Sequence, residues 1–416
     1  MNKVGLPFVG NSQDAFSREH SMWENILSVT AFNPIYGFTY KHIIMMAVAL
    51  TLMYLAVGKK KEPFLLLPLS FGILLANLPG ANLSAYFDAS DPIMQSQGPG
   101  LLSYLYKGVR PAPNASAIYP PLIFLCLGTI TDFAPLIASP KTAIIGVAAQ
   151  FGIFAALGLA LLTRYIPGFD GFTLKEAAAI GIIGGADGPT AIYTANRLAP
   201  DLLPTIAIAA FSYMGLVPFI QPPIMRMLTT AKERVIVMPE PKHVTQRQKL
   251  LFPVLVSIAA ILLVPQCGVL IGMFALGNLI RESGLLNRYV NSLSNPFLDV
   301  LSILLALSIG SSTTADKFLT IRTLLVLCLG LTAFAFGTAS GVVVAKIMCV
   351  LSGGKVNPLI GNAGVSAMPM AARISQRLGQ EYNHQNHLLM HAMGALVAGV
   401  FGSAIVAGLF ISIFAR

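Results

Sequence analysis

The run Gly181-Ile-Ile-Gly-Gly-Ala-Asp187-Gly-Pro189-Thr-Ala-Ile-Tyr-Thr-Ala-Asn-Arg197-Leu198 returns 180 positions later as Gly361-Asn-Ala-Gly-Val-Ser366-Ala-Met-Pro369-Met-Ala-Ala-Arg373-Ile-Ser-Gln-Arg377-Leu378. Without gaps this pairs Gly181 with Gly361, Gly184 with Gly364, Pro189 with Pro369, Ala191 with Ala371, and Arg197-Leu198 with Arg377-Leu378. Glycine and proline at these places interrupt two otherwise apolar segments. Matching interruptions in two halves of a membrane chain point to an ion or substrate site where the halves meet. The repeat therefore restricts the chain to a duplicated architecture with broken or re-entrant helices at its centre.

Composition places that architecture in a bilayer. Hydrophobic residues make up 55% of the 416 and charged residues only 11%, with a mean hydropathy of +0.72. Soluble domains carry about a quarter charged residues, and no soluble core absorbs this much apolar surface. A span needs about 20 apolar residues to cross roughly 30 Å of hydrocarbon. Candidates fall at 43–58, 64–79, 118–139, 141–163, 202–222, 250–266, 296–312, 320–345 and 388–414. With the two broken segments and the glycine-rich run Gly268–Ile280, we expect an all-α polytopic membrane protein of about ten to twelve crossings or re-entrant pieces.

The net charge of +10 (27 basic less 17 acidic residues) would raise the question of nucleic acid in a soluble protein. Here the bases sit in connectors: Lys59-Lys60-Lys61; Lys232, Arg234, Lys242, Arg247 and Lys249; Arg281 and Arg288. Such loops mark the cytoplasmic side, so topology accounts for the charge, nucleic acid is not an expected partner, and the 230–249 connector is placed in the cytoplasm. Residues 1–42 lack the features of a cleaved signal, and an interfacial helix at 15–29 is expected there. Cys126, Cys267, Cys328 and Cys349 are far apart and read as small apolar residues. His384, His387 and His391 could line one helix face, but no carboxylate stands at ligand spacing, which favours a structural or interfacial role.

The expected organisation is an N-terminal segment 1–42, a first membrane half 43–229, the basic linker 230–249 and a second half 250–416. A further match supports the duplication: Leu127-Gly128-Thr129-Ile-Thr131-Asp132 aligns with Ile309-Gly310-Ser311-Ser-Thr313-Thr314. Each half then carries a polar break, a span and a Gly/Pro-broken segment. We expect the repeats to be inverted, with the broken helices meeting near the midplane.

Unwound backbone inside a membrane is tolerated only where it lines a cavity or is buried in protein. Asp187 stands at such a break between Gly184, Gly185, Gly188 and Pro189, and an intramembrane carboxylate is a functional-site hypothesis by default. Freed carbonyls, one carboxylate and neutral oxygens from Asn357, Asn362 and Ser366 would suit a monovalent cation or a proton. Structural readings stand beside these. Asp187 could cap the following helix, Asp132 could cap a helix end, and Asn357-Pro358 could be a turn before a span. Tyr213 lies mid-span, where a single hydrogen bond is its ordinary lot. Arg373 is either an interface anchor or an anion partner.

At these residues the chain resembles a known family. Gly184-Gly-Ala-Asp-Gly-Pro-Thr190, Ser212-Tyr-Met-Gly-Leu-Val-Pro218 with Gln221-Pro-Pro-Ile-Met225, and Asn357 through Arg373 are similar to the membrane beta subunit of the biotin-dependent, sodium-pumping decarboxylases, whose members act on oxaloacetate, methylmalonyl-CoA, glutaconyl-CoA or malonate. The likeness covers about 43 to 414. It implies that a partner, either the carboxyltransferase alpha subunit or a separate carrier, presents carboxybiotin, that this chain decarboxylates it, and that the energy released exports sodium across the cytoplasmic membrane. No Met-Lys-Met biotin-attachment run occurs here, in keeping with biotin on another chain.

By the same resemblance Asp187 is the coupling carboxylate, and Asn357, Gly361, Asn362 and Ser366 furnish the facing half of the sodium or carboxybiotin site. Tyr213 takes part in proton transfer, and Arg373 faces the carboxylate of carboxybiotin. A small single-span accessory subunit and a homo-oligomer, as a trimer, are also implied. Where the family has Met-Gly-Pro-Asn after His-Ala, this chain reads His391-Ala-Met-Gly-Ala395-Leu396, which removes one amide near the site. The alternative from another class is a secondary cation-coupled carboxylate transporter without catalysis.

Overall fold

The computed structural model describes residues 39–60, 63–78, 83, 100–110 and 117–415. The helix expected at 15–29 lies outside them. The first half is built on α1 (Tyr40–Val57), α2 (Pro63–Ala76), α3 (Tyr119–Ile130), α4 (Ala143–Ala149), α5 (Phe151–Leu162), α6 (Leu174–Gly181), α7 (Gly188–Leu198) and α8 (Leu203–Leu228). The second half holds α9 (Gln246–Leu263), α10 (Gly268–Glu282), α11 (Leu298–Ser311), α12 (Ile321–Leu351), α13 (Met370–Tyr382) and α14 (Leu389–Phe414). Short 3-10 turns and one π turn join them, and no strand occurs among the described residues.

Among the described residues seven helical stretches are long and apolar enough to cross a bilayer, and α2 and α3 are shorter apolar helices. The chain is a multi-pass, all-α membrane protein. Most expected spans are present, with instructive differences. The run 118–139 is not one helix, because α3 stops at Ile130 and a separate turn spans Ala134–Ala138. The 141–163 run divides at Gln150. The span expected at 296–312 starts earlier, through Asn287–Ser292 and a π turn at Leu293–Phe297 that carries Pro296. A proline inside a helix removes one ladder bond, and a π turn absorbs the extra residue.

Helix starts follow local chemistry. Thr173 and Glu176 form a reciprocal capping box ahead of α6, and Thr245 with Gln248 does the same ahead of α9, the S/T-x-x-E/Q signature of an N-terminus. Thr230 and Glu233 cap a single turn at Ala231–Arg234 in the linker. Pro218, Pro222 and Pro223 all lie inside α8, and Gln221 among them is fully buried.

The halves interlock through exchanged helices. α2 of the first half crosses α11 of the second so closely that a Cβ at Gly310 would lie 2.2 Å from the Leu69 carbonyl oxygen. α10 of the second half crosses α3 of the first, and a Cβ at Gly277 would lie 2.0 Å from the Leu125 carbonyl. Small residues at such crossings let backbones approach where lipid supplies no hydrophobic drive. Asparagines repeat the correspondence. Asn77 donates to the Thr313 carbonyl at 2.9 Å, and Asn278 donates to the Thr131 carbonyl at 2.7 Å. Thr131 and Thr313 are the aligned members of the two polar breaks, so each break is tied by an asparagine from the opposite half, which meets a carbonyl that the ended helix leaves without a partner.

Candidate functional site

The first broken segment runs from α6 through a 3-10 turn at Ile182–Gly185 into α7. The chain reverses at Ala186, whose φ of +55° lies in the left-handed region. An alanine there carries about 1–2 kcal/mol of steric cost, so the surrounding packing holds the bend. Immediately after it, Asp187 is the N-cap of α7 and is only 6% exposed. One carboxylate oxygen accepts from the Thr190 N–H at 3.4 Å. The other accepts from the Thr190 hydroxyl at 2.6 Å and from the Ser403 hydroxyl of α14 at 3.0 Å.

The second broken segment runs through a 3-10 stretch at Pro358–Gly364 and an extended Val365, then through a cis Met368–Pro369 bond into α13. It meets the first directly. Ser366 N–H donates to the Gly185 carbonyl at 2.9 Å, and the Ser366 hydroxyl bonds that of Ser403 at 3.3 Å. The two breaks are thus joined around Asp187, with α14 packed against both. Gly399 of α14 allows this, because a Cβ there would lie 2.2 Å from the Gly364 carbonyl.

Burying a carboxylate costs several kcal/mol, and hydrogen bonds to a charged group return about 1.5–3 kcal/mol each. The donors on Asp187 offset part of its desolvation, and none of them is a cation. Among the described residues no Lys, Arg or His forms an ion pair with Asp187. Nor do His, Cys, Asp and Glu gather in threes there in a way that would suit a transition metal. The donor set is one carboxylate with hydroxyls and freed carbonyls, which suits a small hard monovalent cation.

The remaining expected site residues divide by what their side chains already do. Asn357 is fully buried. Its amide nitrogen donates to the Arg234 and Ile236 carbonyls of the linker at 3.1 and 2.8 Å, while its oxygen accepts from Leu359 N–H at 3.0 Å. Asn362 donates to Gln221 Oε1 at 2.9 Å and to the Ala371 carbonyl at 3.0 Å, and it accepts from the Ser375 hydroxyl. Both amide nitrogens are fully used and each oxygen already accepts one bond, so the two side chains fix the shape of the second break. Gly361 crosses Gly341 of α12, where a Cβ would lie 2.4 Å from the Gly341 carbonyl.

Tyr213 of α8 is buried, and its hydroxyl donates to the Leu327 carbonyl of α12. Arg373 is exposed on α13 and lines an open pocket of about 420 Å³ with Gln376, Arg377, Gln380, Glu381, His384 and Leu389. That end of α13 meets the end of α8, through Arg226 to Glu381 at 2.7 Å, and the linker, through Arg234 to the Tyr382 hydroxyl at 2.7 Å. Asp132 lies apart from the joint. It accepts from Ala134 N–H at 2.9 Å and stands 4.0 Å from both Lys249 and Arg281.

Ser403, Thr190 and Gln150 are the residues that motif reading did not assign to the site. Thr190 ends the first broken motif, whereas the signal for the other two was a lone polar side chain in an apolar span, since Gln150 is the single amide in the 141–163 run and Ser403 sits in the very apolar last helix. Intramembrane polar residues carry that weight generally.

A family model described as the Na+-transporting oxaloacetate decarboxylase beta subunit matches residues 41–414. The chain belongs to this family. It is 46% identical to the methylmalonyl-CoA decarboxylase subunit beta of Propionigenium modestum, over 94% of this chain and 100% of that one. Against the oxaloacetate decarboxylase beta chain 2 of Salmonella typhi it is 48% identical over 88% and 93%. The glutaconyl-CoA decarboxylase subunit beta of Acidaminococcus fermentans gives 48% over 89% and 93%. The chain is therefore the membrane subunit of a multi-subunit, sodium-transporting decarboxylase, and catalysis rather than secondary transport alone is its business.

Proposed function

We propose that this chain decarboxylates carboxybiotin presented by a partner subunit and uses the energy to export sodium across the cytoplasmic membrane, with Asp187 as the carboxylate that holds the ion. The observation that carries the reading is the joint itself: a buried, cation-less carboxylate where the two repeated breaks are bonded together. Sodium would sit against Asp187 with hydroxyl and backbone oxygens of Thr190, Ser403 and Ser366. Asn357, Gly361 and Asn362, expected as direct ligands, would instead set the position of the second break.

Arg373 would receive the carboxylate of carboxybiotin, a role favoured by its exposure in an open pocket beside the basic linker. The linker's charge favours the cytoplasmic side for that pocket. When biotin loses its carboxyl group, a ring nitrogen needs a proton. Tyr213 would supply or relay it once its hydroxyl turns from the Leu327 carbonyl. A cation beside Asp187 disfavours the protonated carboxyl group, so sodium and the proton compete for one place and the chemistry is coupled to transport. A carboxyltransferase alpha subunit or separate biotin carrier, a single-span accessory subunit and a trimer of this chain complete the proposed complex. We also propose that the exchanged helix pairs α2/α11 and α10/α3 reflect inverted repeats.

The test is purification of the chain with its partners. A biotinylated protein should co-purify, and carbon dioxide release should depend on sodium. Transport of a carboxylate by a preparation free of biotin would overturn the reading.

A further inference from the structure

Gln150 separates α4 from α5 and is 4% exposed. Its amide nitrogen donates to the Gly146 carbonyl at 3.0 Å and to the Gly399 carbonyl of α14 at 3.2 Å. With both hydrogens spent on carbonyls, the amide cannot be turned over without facing its oxygen to two acceptors. The orientation of Oε1 is thereby set, and Oε1 is a buried oxygen with no donor among the described residues. Such an atom is costly to bury unless something meets it.

The free oxygen faces the joint. It lies 3.7 Å from where a Cβ of Gly185 would stand, and that same Cβ would lie 3.2 Å from Ser403 Cβ. Gly185 gives its carbonyl to Ser366 N–H, and Ser403 gives its hydroxyl to Asp187. Gly402 makes the room, because a Cβ there would lie 2.8 Å from Gln150 Nε2. The amide is thus packed from one side and bonded at its nitrogen, with its oxygen near Gly185 of the first break.

We propose that Gln150 Oε1 is a ligand of the transported cation and tunes the preference of the site among monovalent ions. The inference rests on the reading of Asp187 as the ion-holding carboxylate. A neutral amide oxygen adds a hard ligand without a second charge, so the site with one monovalent cation stays neutral. It also fixes one wall of the cage to α4, α5 and α14, which makes cage size a property of helix packing rather than of a mobile side chain.

The test uses the assembled complex, with sodium-dependent carbon dioxide release and sodium-dependent thermal stabilisation as separate readouts. Gln150→Met keeps length and loses the oxygen. It should raise half-saturating sodium about tenfold, the loss of one strong polar contact, and shift the lithium-to-sodium ratio. An unchanged sodium requirement and an unchanged ion ratio in folded Gln150→Met would overturn the proposal. A high-resolution map of the unaltered complex in sodium decides independently of folding. A bridging ion between Gln150 Oε1 and Asp187 is expected, and a water bound to Gln150 alone would overturn it. If Asp187→Asn keeps full sodium dependence, the underlying reading fails; if Asp187→Asn loses it while Gln150→Met does not, only the role of Gln150 fails.

Discussion

At the scale of single residues, ion coupling turns on how few groups hold one buried charge. Ser403 gives Asp187 one of its two hydroxyl donors, so Ser403→Ala should raise half-saturating sodium about tenfold or more, the worth of a hydrogen bond to a charged group. Carbon dioxide release titrated with sodium checks this, and an unchanged curve would leave Ser403 a bystander. Ala186 makes a second prediction. Relief of the left-handed strain offsets the entropy cost of glycine, so Ala186→Gly should fold with unchanged or slightly higher thermal stability, while the β-branched Ala186→Val should lose several degrees. Asp187 itself was legible in the sequence, because a carboxylate among glycines and a proline in an apolar run has few ordinary explanations. Its partners were not. Ser403 lies 216 positions away, and one serine or glutamine in a span has no pattern until the fold brings it to a charge.

At the scale of elements, the breaks were legible and the crossings were not. Glycine and proline announce where a helix stops, and both breaks are found at the repeated motifs. Which helix passes over which glycine depends on tertiary contacts absent from local periodicity. Two glycines separate these roles. A Cβ added at Gly158 of α5 would meet nothing within 4 Å, whereas a Cβ at Gly399 would strike the Gly364 carbonyl at 2.2 Å. Gly158→Ala should therefore stabilise the protein by about 0.5–1 kcal/mol, and Gly399→Ala should destabilise it and displace α14 from the joint. Thermal unfolding of the two variants checks both signs. The split of the 118–139 run at Thr131-Asp132 has the same lesson, since hydropathy averaged over the run hides a polar break that Asn278 then ties down. The exchanged ties predict that Asn77→Ala and Asn278→Ala cost similar amounts, about 1–3 kcal/mol each. A large inequality would show that the two breaks are not equivalent.

At the scale of the whole molecule, a membrane-embedded joint is connected to a basic linker through hydrogen-bonded amides. Asn357 binds the linker carbonyls of Arg234 and Ile236, and Arg234 in turn bonds Tyr382 at the end of α13. Asn357→Ala should therefore free the linker, seen as faster proteolysis between 236 and 245, with a smaller effect on half-saturating sodium than any change at Asp187. The duplication was legible as sequence similarity, and so was the membrane class as composition. The unequal chemistry of the two copies was legible too, one with a carboxylate and the other with neutral oxygens, but the bonds between them were not: Ser366 aligns with Ala186, and only the fold shows it reaching across to the Gly185 carbonyl and the Ser403 hydroxyl. The proposal gives one carboxylate, Asp187, the coupling of decarboxylation to sodium movement. The most direct test is simultaneous measurement of carbon dioxide release and radioactive sodium uptake in proteoliposomes containing the complete complex with Asp187→Asn. Sodium-stimulated release and uptake should be lost together while the complex stays assembled. Sodium-stimulated release that survives the substitution would contradict the assignment of Asp187.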